Sequence, residues 1–261
     1  MVFQERVKEK RAMIFVALTF AITYSMWGLV ALNPGGLFPF GSLQANVPWL
    51  MGALSPAIVM FSLTKKWGNS KEEKAFIRPI FRTKYGWKPT FLLTALFLLT
   101  YFVIVFYLTE RIEPWYMLAT YFPVMIIGGG LEEIGWRGFL QPELEKKLPF
   151  WLAAPIVGVI WGAWHIPLWF IPGTMQAGNM NFPLYILYTV LLSCIMGAIQ
   201  RITENVAASI IFHAWVNVLF SVFAFLPILG GENLIMFIGL MTGFATTATA
   251  LVYIYEHKIR A

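Results

Sequence analysis

Long apolar runs dominate the chain and are separated by short polar breaks. A membrane-spanning helix needs about 20 mostly apolar residues. Eight stretches approach or meet that length: 13–32, 47–64, 90–108, 115–141, 150–171, 182–200, 205–226 and 233–255. Several contain Pro or Gly, which membrane helices tolerate because neighbouring groups satisfy the freed backbone. Two breaks, NPGGLFPFG (33–41) and IPGTMQAGNMN (171–181), are turn-rich and uncharged, whereas 65–88 is strongly basic. No internal repeat or low-complexity tract interrupts the pattern. The reading is therefore an all-α, polytopic membrane protein of about eight transmembrane helices, with 1–261 forming one transmembrane domain. The first run is too long for the apolar part of a signal peptide, and no small-x-small cleavage site follows it, so it is expected to be the first span.

Composition agrees with this pattern. Of the 261 residues, 59% are hydrophobic and 12% are charged, against roughly 25% charged in an average soluble domain. A soluble globule of this size would have to expose much of that apolar surface to water. The net charge is +6, and its distribution decides what it means. Seventeen of the nineteen Lys and Arg residues fall in the N-terminal tail, in 65–88, 142–149 and 201–204, and in the C-terminal tail; the opposite set of loops holds Arg111 alone, and Arg137 lies within the fourth run. This bias places both termini in the cytoplasm. The positive charge then faces anionic headgroups of the cell membrane, and no nucleic-acid partner is expected. The stretch KAFIRPIF (74–81) either lies along the membrane surface or is an ordinary basic loop. The single cysteine, Cys194, excludes an internal disulfide and reads as a small packing residue.

Ionisable residues inside a bilayer cost about 2.5–3.5 kcal/mol each on insertion scales, so they need partners or a wet cavity and point to function. The fourth run holds GGGLEEIGWRGFLQPELEKK (128–147). Glu133 and Arg137 are spaced i,i+4 and can pair on one helix face. That leaves Glu132 without a same-helix cation, which suits a carboxyl that exchanges a proton with a reacting group. A structural ion-pair cluster explains these residues equally well. The fifth run puts Trp161 and His165 at i,i+4, and the seventh puts His213 and Asn217 at i,i+4. A lone membrane histidine is more often a helix contact than a catalyst. Here two of three histidines are intramembrane, and the third, His257, sits in the C-terminal tail.

Depth along regular helices links the set. Glu132 lies 16 residues before Leu148, and His165 lies 16 residues after Pro149. Both would sit about 20–25 Å from that turn at 1.5 Å per residue. Asn217 is 12 residues beyond Asn205, or about 18 Å, with His213 one turn shallower. All four are expected to line one polar cavity opening toward the cytoplasm. Gly128–Gly130 would let another helix or a substrate backbone approach closely.

The three motifs, Glu132-Glu133-x-x-x-Arg137, Trp161-x-x-x-His165 and His213-x-x-x-Asn217, resemble in order those of the CAAX protease and bacteriocin-processing (CPBP, or ABI) intramembrane proteases, a group that includes the type II CAAX prenyl endopeptidases. The second motif usually begins with Phe, so Trp161 is a departure that keeps an aromatic. The motif core spans about 116–225. The resemblance implies an intramembrane endopeptidase in which Glu132, helped by His165, activates water. His213 and Asn217 would form an oxyanion hole, and Glu133 and Arg137 would support the site. The implied substrate is a peptide or protein, with prenylated C-termini in some lineages. Proteins of this family are often labelled metalloproteases, and Glu132, His165 and His213 could ligate zinc with a position left for water. The chain has no HExxH pair on one helix, and Asn217 suits an oxyanion better than zinc, which favours the glutamate-base mechanism and leaves the cofactor as none or zinc. Two other functions use the same residues: a proton-coupled transporter, which would commonly show inverted repeats that this chain lacks, and a non-proteolytic scaffold.

Overall fold

The computed structural model describes residues 10–67, 70–224 and 233–259. The expected basic residues Arg6, Lys8 and Arg260, and the expected end of the seventh span at 225–226, lie outside the described residues. Those described are helical apart from turns, loops and one isolated antiparallel bridge between Arg111 and Phe223. In chain order the helices are α1 (Arg11–Leu32), α2 (Leu43–Ala53), α3 (Ser55–Trp67), α4 (Ser70–Phe81), α5 (Trp87–Leu108) and α6 (Met117–Gly128). There follow the short α7 (Glu133–Gly135) and α8 (Gln141–Glu145), then α9 (Phe150–Trp164), α10 (Phe182–Thr203), α11 (Val206–Val222) and α12 (Leu234–Ile254).

Six helical stretches among the described residues are long and apolar enough to cross a membrane, or seven if α2 and α3, bent by 50° at their junction, count as one span. Helix α11, within the seventh expected span, is shorter at 17 residues. The protein is thus a polytopic membrane protein. Helix α10 is the central one: 67% of its most apolar window is buried, against 28% for α1 and 33% for α5. Lipid-facing α5 carries exposed Leu92, Leu96, Leu99, Val103 and Phe106, a three- and four-residue spacing that forms one stripe. Helix α9 can press against α10 because Gly158 and Gly162 present no side chain there. A Cβ on Gly158 would lie 2.5 Å from the Val190 Cα, and one on Gly162 would lie 2.5 Å from the Thr189 Oγ1. Small residues at close membrane-helix crossings follow from packing being the driving force where lipid is as apolar as the helices.

Loops rich in Lys and Arg gather at one end of the bundle. Arg201 bonds Glu256 at 2.8 Å and Glu145 at 3.3 Å, and Lys84 meets Glu204 at 3.2 Å. The Tyr85 and Tyr255 hydroxyls lie 2.9 Å apart beside them. Segment 74–81 is part of helix α4, whose Phe76 packs on Phe139 with ring centroids 5.1 Å apart. At the opposite end, the amides of Ile112 and Glu113 share the Val222 carbonyl, and Asn233 caps the Leu108 carbonyl at 3.1 Å.

Two prolines break helices, and α1 compensates both. Pro56 has no N–H to give the Gly52 carbonyl, four residues back. Thr23 supplies a hydroxyl to it instead, at 3.1 Å. Pro167 likewise leaves the Ala163 carbonyl, which accepts from the Tyr24 hydroxyl at 2.8 Å. Thr23 also contacts the Ser55 hydroxyl at 2.6 Å and accepts from the Trp164 indole at 2.6 Å. One residue thereby ties α1 to the α2–α3 bend and to the end of α9. Thr23→Val, which keeps the volume and removes the hydroxyl, is expected to cost about 1–3 kcal/mol, the range for stranding buried polar partners. A lowered thermal unfolding midpoint of the detergent-solubilised protein checks this.

Candidate active site

The run 115–141, expected to be one regular helix, continues to Glu145 as a 29-residue stretch with an irregular centre. Helix α6 ends at Gly128, Gly129 leaves the helical region at φ −160°, and Gly130–Glu132 form a 3₁₀ turn. Three consecutive glycines weaken the helix where the turn forms. A π-helical turn follows at Trp136–Leu140. Such irregular turns re-aim side chains and frequently sit at functional sites. The two adjacent glutamates fall immediately after the break and face different partners.

Glu133 and Arg137 are both fully buried. They pair as their spacing suggests, with Arg137 Nη1 2.9 Å from Glu133 Oε2. The other carboxylate oxygen, Oε1, accepts from His213 Nδ1 at 2.9 Å. A carboxylate only accepts, so His213 Nδ1 carries hydrogen and the ring turns Nε2 toward Gly129 and the cavity. Glu132 is buried on the other side, where its Oε2 accepts from the Trp161 indole at 2.9 Å.

His165 sits at the junction between α9 and the 3₁₀ turn Ile166–Phe170, not inside the regular helix expected over 150–171. Pro167 accounts for the break. His165 Nδ1 bonds the Trp161 carbonyl at 2.8 Å, so this nitrogen also carries hydrogen and Nε2 keeps its lone pair. Four aromatic rings surround the imidazole: Trp164 at 4.6 Å, Tyr185 at 5.4 Å, Trp161 at 5.6 Å and Trp27 at 6.2 Å between centroids. The run WGAWH marks two of them; Trp27 and Tyr185, from distant positions, carry no local sequence signal.

Glu132, His165, His213 and Asn217 line one cavity of about 340 Å³. Gly129 makes room for its polar wall, because a Cβ there would lie 2.1 Å from Asn217 Nδ2 and 3.4 Å from His213 Nε2. Apolar and aromatic side chains complete the lining, among them Trp49, Met125, Leu168 and Phe220.

One expectation needs correction. The cavity does not open toward the basic end. It reaches Phe40 of loop 33–41 and Gly173–Gln176 of loop 171–181, on the charge-poor end, and no residue of the basic loops lines it. The reason lies in the depth itself: 20–25 Å from the basic turn, across a hydrocarbon core of about 30 Å, is closer to the far face. No three His, Cys, Asp or Glu side chains among the described residues are arranged to hold a metal ion. Glu132 Oε2 accepts from the Trp161 indole, and His213 Nδ1 donates to Glu133 Oε1. Cys194 is free and buried in the core.

Removing Glu133 would strand the Arg137 guanidinium in the interior. Glu133→Ala is therefore expected to destabilise the protein by about 3–5 kcal/mol, the range for breaking one side of a buried pair. Adding Arg137→Met should recover part of that loss, as read from unfolding midpoints.

Comparison with known proteins bears on what such a site does. Residues 113–219 match the family model described as type II CAAX prenyl endopeptidase Rce1-like. Over 228 residues, covering 78% of this chain and 82% of the relative, the sequence is 25% identical to a protein of Methanococcus maripaludis named CAAX prenyl protease 2. Residues 113–219 are therefore an Rce1-like domain of the CAAX intramembrane peptidases, in a chain distantly similar to CAAX prenyl protease 2.

Proposed function

We propose that the chain is an endopeptidase that hydrolyses a peptide bond inside the bilayer, with Glu132 as general base. The supporting observation is the convergence of Glu132, His165, His213 and Asn217 on one cavity. Glu132 takes a proton from water as the water oxygen bonds to the scissile carbonyl carbon. His165, with its Nε2 lone pair free, orients that water or shares the proton. Negative charge develops on the carbonyl oxygen, where Asn217 Nδ2 donates. His213 presents Nε2 to the same oxygen while Glu133 Oε1 engages its Nδ1. Donors aimed at the developing oxyanion act strongly where water is excluded. As the C–N bond breaks, the proton on Glu132 passes to the leaving amine. Glu133 and Arg137 hold His213 in place.

The same reading takes 116–225 as the catalytic core of a single membrane domain over 1–261. Counting the bent α2–α3 pair as one span and α11, about 25 Å long, as another gives eight. The Lys and Arg bias puts the basic end and both termini in the cytoplasm. The cavity mouth at loops 33–41 and 171–181 then faces away from the cytoplasm. A substrate enters beside exposed Phe40 and the aromatic lining, which suits a peptide flanked by apolar residues or by a lipid such as the isoprenoid named for the relatives.

Glu132→Ala is expected to abolish cleavage of a peptide library, offered with and without an isoprenoid group, while the protein stays folded. Full activity would remove the base assignment. Asn217→Ala should lower kcat by about 10²–10³-fold, the usual loss for one oxyanion donor. Gly129→Ala, which drives a methyl into the Asn217 amide, should approach that loss. Gly128→Ala, with nothing within 4 Å of its added Cβ, should remain near the parent rate. For orientation, Gly173→Cys in a Cys194→Ala background should react with an impermeant maleimide added to intact cells, and Lys146→Cys should react only after permeabilisation. The reverse pattern would invert the topology.

A further inference from the structure

We infer that Trp161 is a positioning residue that sets the orientation of the base through its indole N–H. The inference rests on Glu132 being the base, as proposed above. Trp161 is buried and touches four of the six polar side chains of the site. Its Nε1 donates to Glu132 Oε2 at 2.9 Å, and its backbone carbonyl accepts from His165 Nδ1 at 2.8 Å. The imidazoles of His165 and His213 meet its ring edge-on at 5.6 and 5.1 Å, and the Arg137 guanidinium lies 5.1 Å from its ring centroid.

These contacts differ in what they need from the side chain. The carbonyl contact needs none, and the ring contacts need an aromatic, which Phe would supply. The bond to Glu132 needs the indole nitrogen. A carboxylate in an apolar wall has two equivalent oxygens and can rotate about its last torsion. A donor fixed on Oε2 removes that freedom and leaves Oε1 as the oxygen presented to water. The indole can act as a fixed donor because its ring is clamped on several sides. The same residue holds His165 through its carbonyl, so the base and its helper share one frame.

The test separates the N–H from the ring. Trp161→Phe and replacement of Trp161 by β-(3-benzothienyl)alanine, an isostere with sulfur in place of N–H, are made in the full-length protein in detergent. Each is assayed with a fluorogenic peptide that the parent protein cleaves, alongside Glu132→Ala and the unfolding midpoint. The isostere is expected to keep the parent's midpoint and KM and to lose about 10- to 100-fold in kcat, the range for a hydrogen bond to a charged acceptor. Trp161→Phe should show the same split between kcat and KM. An isostere with the parent kcat, where Glu132→Ala is inactive, overturns the positioning role and leaves the base standing. A fully active Glu132→Ala overturns the base itself. If Trp161→Phe unfolds, the isostere decides alone.

Discussion

The site depends on one electrostatic constraint: a carboxylate, Glu133, held with no exposure in the interior of a membrane protein. Such a charge persists only with partners around it. Arg137 supplies the opposite charge one turn along, and His213 supplies a hydrogen bond from α11. The pair needs α7 and the π turn in register, and the histidine needs α11 packed against them. Meeting the cost of the buried charge thereby fixes the distance between the two polypeptide segments that form the cavity's polar wall. Gly129 and Gly130 permit that distance, since a Cβ on Gly130 would lie 2.9 Å from the Ile210 carbonyl oxygen.

The break in the helix after Gly128 gives two adjacent glutamates different neighbours. In a regular helix, consecutive side chains point about 100° apart, which already takes Glu132 off the face that Glu133 shares with Arg137, and the break turns it further toward α9. The 3₁₀ turn ends at Glu132 and the next helical turn begins at Glu133. Glu133 takes the cation and His213. Glu132 takes only a neutral donor, Trp161, and faces the cavity. A residue with a neutral donor remains free to exchange a proton, whereas one locked in an ion pair does not.

Much of this was legible in the sequence. Spans follow from apolar length, because a bilayer imposes it, and the charge bias anticipated which loops meet at one end, as Arg201 with Glu145 and Glu256, and Lys84 with Glu204, demonstrate. Polar residues are rare enough in these runs that Glu132, Glu133, Arg137, His165, His213 and Asn217 stood out individually. What was not legible is geometry set by irregular backbone. The 3₁₀ turn at 130–132 follows three glycines, and the break at His165 follows from Pro167, whose freed Ala163 carbonyl is met by Tyr24, far away in sequence. The aromatic ring around His165 is equally non-local. The direction of the cavity was misread because depth was measured from the nearer turn in sequence, not from the nearer face of the membrane.

The corrected direction makes the chemistry more coherent. Hydrolysis consumes water, and a base buried in hydrocarbon has none unless a route leads to it. Loops 33–41 and 171–181 are turn-rich and uncharged, and they border the cavity at the membrane's far face. As the mouth proposed above, they would admit water and substrate without placing a fixed charge near the reacting bond. At the other end Lys84 pairs with Glu204, and Arg201 with Glu145 and Glu256, and no residue of the basic loops lines the cavity. Apolar and aromatic side chains line the cavity between the mouth and Glu132. In that setting the oxyanion donors proposed at Asn217 and His213 would count for more than in an open cleft. A cavity reaching the uncharged end, lined mostly by apolar side chains, thus suits the two demands that conflict in an intramembrane hydrolase: access for water and a low-dielectric place to use it.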